Sequence, residues 1–307
     1  MALTTAPVAL VGCHSDDGLP TDPPTSVTKV ASGGFTSPTD AVASPDGSTF
    51  YFAAYDDLKE PTIFKTSSAP GSAAEPLATS APLEAPIGLV LSCDGATLFV
   101  GDMGATQGDA DLAETGAVFS LPTSGGAVAN LGATGIVRPA GMAMGPDCKT
   151  LFITGRTEDG RPGLFSMPIG GGAASIVYAG APLVSPTGLH VDSDGVAWVM
   201  DHLAHGAAGE GVLFAIPKDG SAATEVASDL RMGTPGGVSL TAGGGTAVIP
   251  TVDKTGAGQL TTVDIASGEI SQLAAPDMID PAGLRTARKA GVFAVVDSEA
   301  GAIYRAE

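Results

Sequence analysis

The sequence predicts an all-β fold, a six-bladed β-propeller with four antiparallel strands per blade and a ring closed by an N-terminal strand. Three observations predict it. A proline-led unit recurs six times. Each copy holds short runs rich in β-branched and aromatic residues. Gly (43) and Pro (23) punctuate the chain as densely as short strands and tight turns require.

The units start at Pro38, Pro86, Pro139, Pro186, Pro235 and Pro281, spaced 48, 53, 47, 49 and 46 residues apart. Strand A follows a Pro-x-Gly turn in five of them, and an Asp-Gly or Gly-Gly type of turn typically leads into strand B, as before Thr97 to Val100. A variable B–C loop follows. Strand C reads as GLFSMP from Gly163 or GVLFAIP from Gly211, and strand D as Ser175 to Tyr178 or Thr224 to Ala227. The last unit ends after its strand C, and Val27 to Ala31 has the pattern of the missing strand D. Residues 27–307 therefore read as the propeller. A repeat architecture of this kind escapes the size limit of a single-core domain, because each blade buries its faces on its neighbours.

Residues 1–26 read as a truncated lipoprotein-type signal and a Pro-rich tether. Leu10, Val11, Gly12 and Cys13 resemble the lipobox of bacterial lipoproteins, with a short apolar run and no basic region before it. This points to a bacterial envelope or secreted protein, with membrane contact through a lipid anchor at Cys13. Cys93 and Cys148 fall in the A–B turns of blades 2 and 3, where an inter-blade disulfide suits an exported chain, although one step of register separates the two positions. A net charge of −19 without a basic cluster excludes nucleic acid as a natural partner. A monomer is expected.

The units GLHVDSDGVAWVMD and GVFAVVDSEAGAIYR resemble NHL-type repeats. From about Val27 onward the chain is similar to the superfamily of gluconolactonases, diisopropylfluorophosphatase, paraoxonase and strictosidine synthase. The resemblance implies a calcium-dependent lactonase or phosphotriesterase with a metal in the axial channel. The chain departs from that pattern between Pro and Gly, where it carries Thr39, Ile87, Ala140, Thr187, Gly236 and Ala282 instead of carboxylates or amides.

Comparing blades isolates the residues that need their own explanation. Asp102, Asp201 and Asp297 close strand B in blades 2, 4 and 6, either as a metal ring or as caps of their B–C turns. Asp40 stands where the other five blades have Gly, either as a ligand or in an Asx-turn. His190 and Arg285, two residues after that position, line the channel or are satisfied inside it, Arg285 by a carboxylate such as Asp280. His202 and His205 offer a metal ligand or general base in the blade 4 loop. Arg156 offers a grip on an anionic group. The B–C loops hold 14 of the 33 acids, and the longest, Asp102 to Gly116, is a lid candidate.

Two functions follow as expectations. One is an exported metal-dependent hydrolase of the lactonase or phosphotriesterase type. Its divalent metal, calcium by resemblance, sits on Asp40, Asp102, Asp201 and Asp297, with His202, His205, Arg156 and His190 as catalytic groups. The other is a non-enzymatic envelope lipoprotein that binds a small molecule or a partner through the same face. Both place the site where the A strands begin.

Overall fold

The computed structural model describes residues 19–104, 116–206, 211–233 and 235–307. Six four-stranded antiparallel sheets form the blades. The inner strands, A, run from Thr36–Ala43, Pro86–Leu91, Met142–Met144, Pro186–Val191, Ser239–Leu240 and Pro281–Thr286 in blades 1 to 6. Five blades use four consecutive strands. The sixth takes its outer strand from Val27–Ser32, which pairs antiparallel with Ala302–Ala306. The ring is closed as expected, by main-chain hydrogen bonds between the two ends of the chain.

Six apolar clusters fill the spaces around the ring, each combining residues of adjacent blades. The cluster between blades 6 and 1, for example, packs Ala294, Val296 and Ile303 against Phe50, Phe52 and Phe64. A blade is thus stable through its neighbours rather than by itself.

The A–B turns repeat one design. Asp46, Asp94 and Asp147 accept the N–H of the residue two places on, and Gly47, Gly95, Gly195 and Gly244 take positive φ. In blade 3 Cys148 replaces that glycine and adopts a φ of 56°. Its sulfur bonds Cys93, with Cα atoms 5.7 Å apart, inside the usual disulfide range. The register offset between the two turns is spanned because one partner occupies the left-handed corner of its turn. No helix among the described residues is long and apolar enough to cross a membrane.

Candidate functional site, a blind axial cavity

The inner strands build the axis in rings, since equivalent positions of the six blades lie at one level. The ring where the strands enter is made of Gly88, Gly141, Gly188, Gly237, Gly283 and, in blade 1, Asp40. Here the strands nearly touch. A Cβ on Gly88 would overlap the Ala140 carbonyl oxygen, and one on Gly141 the Thr187 carbonyl oxygen. A Cβ on Gly283 would overlap Asp40 itself. The glycines leave room for one side chain, and Asp40 fills it at 2% exposure.

Asp40 is held by three groups. Its Oδ1 accepts the Ala41 N–H at 3.0 Å and its Oδ2 the Leu89 N–H at 2.9 Å. Arg285 Nη2 lies 3.3 Å from Oδ2, and both side chains are buried. Burial pushes the Asp40 carboxyl up from its ordinary value, against the opposing pull of Arg285 and the two N–H groups. The Arg285 guanidinium also donates from Nη1 to the carbonyls of Val238 and Leu284 and from Nε to that of Leu89. It therefore ties blades 1, 2, 5 and 6 together across the axis. Its carboxylate partner is Asp40 and not Asp280, which immediately precedes strand A of blade 6 and is pushed up by burial and by the Asp297 and Glu299 charges.

Beyond this plug the axis opens into a cavity of about 650 Å³. Its first ring is Val42, Val90, Ala143, His190, Ser239 and Arg285, which lie at equivalent register positions in the six blades. Blades 1 to 3 are apolar at this level and blades 4 to 6 polar, so the cavity is two-sided. The mouth is formed by A–B turns, including Pro45, Ser92, Pro146, Asp194, Gly243 and Arg288. The disulfide sits in this rim. At the end where the A strands begin the axis is closed by backbone contact, and the axial cavity opens at the end where they finish; a separate pocket on the former face is lined by Glu84, Asp102 and Gly104.

Polar contacts order the polar half. His190 Nδ1 lies 3.2 Å from Ser239 Oγ, which in turn accepts the Thr286 N–H at 3.0 Å. Burial first, then the charges of Arg285 and Arg288, depress the His190 imidazole to about 3, so it is neutral at ordinary pH. On the rim Asp192 is occupied. It accepts the N–H groups of Asp194 and Val196 on Oδ1 and the indole N–H of Trp198 on Oδ2.

The other sequence-derived residues do not converge. Asp102 accepts the N–H groups of Glu84, Ala85 and Gly104. Asp201 does the same for Val184, Ser185 and Leu203, and Asp297 for Ile279, Asp280 and Ala300. Each carboxylate thus staples the D–A turn of its own blade to its B–C turn. His202 Nδ1 lies 3.0 Å from the Ser185 carbonyl oxygen, and His205 Nε2 lies 3.2 Å from the Glu225 carboxylate on the outer surface. Arg156 donates to the carbonyls of Gly160 and Val184. Among the described residues no three His, Cys, Asp or Glu side chains are grouped as a metal site would need. Cys13 and the lid candidates Asp109, Asp111 and Glu114 lie outside the described residues.

The sequence singles out His190 and Arg285 but not Ser239 or Arg288. The signal was present: three consecutive blades turn polar at one position of strand A. These features define a six-bladed propeller with a plugged axis and an axial cavity. No protein-family model matches the chain, and no curated protein matches it. Its fold is similar to that of a chain in the nidogen/laminin complex, with a TM-score of 0.59, 17% identity, and 77% of this chain and 82% of that one covered. It is also similar to a structural genomics protein of unknown function from Bacteroides thetaiotaomicron, with a TM-score of 0.63, 12% identity, and coverage of 92% and 72%. TolB from Acinetobacter baumannii gives 0.58 and 14%, with 78% of this chain matching 54% of that one. At these identities the likeness shows the fold alone.

Proposed function

We propose that the protein is a non-enzymatic ligand-binding propeller of the cell envelope, distantly akin to the NHL and gluconolactonase–paraoxonase-like propellers, that holds a small molecule in its axial cavity. One observation carries this reading: the cavity is closed at one end, open at the other, and divided into a polar and an apolar half. Its volume of about 650 Å³ is that of a small-molecule site. The Cys93–Cys148 disulfide supports an oxidising compartment, and Cys13 would anchor the chain as a monomer.

The reading is favoured over the metal-dependent hydrolase because Asp40, Asp102, Asp201 and Asp297 are each engaged by backbone N–H groups. A thermal-shift screen of small molecules against the wild type and Ala143→Trp tests it. Compounds that raise the wild-type midpoint should lose that effect in Ala143→Trp, whose indole intrudes on the cavity beside His190. Equal shifts in both proteins, or hydrolysis of a lactone or organophosphate that a chelator abolishes, would contradict it.

A further inference from the structure

We infer that the occupant of the cavity is a small organic monoanion, a carboxylate carried on an apolar body. The inference rests on the ligand-binding reading above and adds the chemistry of the ligand to it.

Several hydrogen-bond donors face the cavity. Arg285 has five N–H bonds, and its contacts to Leu89, Val238, Leu284 and Asp40 use four of them. One Nη2 hydrogen is left. The neutral imidazole of His190 uses only Nδ1 among the described residues, on Ser239, and its other nitrogen has no hydrogen-bond partner there. At the rim Arg288 lines the same cavity and has no carboxylate within ion-pair distance among the described residues. Partial burial pulls its guanidinium below the ordinary arginine value, the direction expected of a charge that has lost water without gaining a partner.

The acceptors are fewer. Asp40 is the counter-charge of Arg285 and lies behind it, on the closed side of the plug. Asp192 is consumed by its own turn and by Trp198. Asp194, exposed on the rim, is the remaining carboxylate on the lining. Within a protein of net charge −19 the polar half of the cavity is therefore rich in donors, and the Arg285 and Arg288 charges add to burial in keeping His190 neutral. A ligand that meets these donors presents acceptors and a negative charge. Opposite them, Val42, Val90 and Ala143 offer no polar partner, so the rest of the ligand is apolar.

Isothermal titration of the full chain with octanoate, octanamide and octylammonium tests the inference. The three probes share an apolar tail and differ in the head group. Octanoate should bind at least about tenfold tighter than octanamide, a difference of about 1.4 kcal/mol. In Arg288→Gln that preference should fall below about threefold while the amide's affinity stays the same. Octanoate and octanamide binding equally, with both lost in Ala143→Trp, would overturn the anion assignment and leave the cavity reading intact. Tightest binding by octylammonium would overturn it in favour of Asp194. Failure of every probe to bind, or binding indifferent to Ala143→Trp, would overturn the cavity reading together with the inference.

Discussion

The two exceptions on the inner strands, a carboxylate among glycines and an arginine among small residues, explain each other. Asp40 and Arg285 form a buried pair, and neither has another ionised partner within reach among the described residues. Removing one leaves the other buried and uncompensated, which typically costs about 3–5 kcal/mol. Asp40→Gly and Arg285→Val should each lose stability on that order in urea unfolding. The double variant, which restores the residues other blades use, should recover most of it. Simple addition of the two losses would show that the pair does not act as a unit. His190 gives a second prediction. Its imidazole titrates at about 3 in the folded chain but near 6.5 when unfolded, so between those values the unfolded state binds the extra proton. Stability should therefore fall as pH drops below about 6.5, by about 1–2 kcal/mol at pH 5. His190→Asn should flatten the urea midpoint between pH 7 and pH 5; an unchanged slope would place the titration elsewhere. At this scale the unusual residues were legible from comparing blades. The Asp40–Arg285 pairing was not, because it spans blades 1 and 6, which only ring closure brings together.

At the scale of the element, the repeat's regularities have separate mechanical causes. Asp102, Asp201 and Asp297 recur at one position because each satisfies N–H groups of the loop leading into its own strand A. The sequence left metal ring and turn cap open, since both ask for a carboxylate at the same place. The contacts of all three carboxylates are those of a cap. Asp201→Ala should cost about 1–3 kcal/mol in urea for the orphaned donors, and calcium should not move the wild-type midpoint. A calcium-dependent rise that Asp201→Ala removes would reverse this conclusion. The rim disulfide acts differently, by tying two turns 55 residues apart. Replacing Cys93 and Cys148 by Ser should cost up to about 4 kcal/mol by the chain-entropy argument. Both effects are readable by chemical denaturation.

For the whole molecule, the blade number and the closure by Val27–Ser32 were legible because a missing strand at one end matched a spare strand at the other. The open end of the axis was not legible. Acid-rich, irregular loops drew attention to the face where the A strands begin, yet Asp102, Asp201 and Asp297 there hold turns. The glycines that mark that face permit close approach of the strands rather than access. The segment before the first strand also runs along the open face: the Pro20 carbonyl accepts the Gly243 N–H at 2.8 Å, and Leu19 and Thr21 line the mouth. The open mouth of the axial cavity and the described start of the chain therefore share one face of the propeller. The central claim is that a ligand occupies the axis from that side, and anomalous diffraction from crystals soaked in 8-bromooctanoate tests it most directly. Bromine density is expected against Val42, Val90 and Ala143, with the carboxylate toward His190, Ser239 and Arg288. Bromine among the B–C loops beside Asp102, Asp201 or Asp297, with the axial cavity holding none, would contradict it.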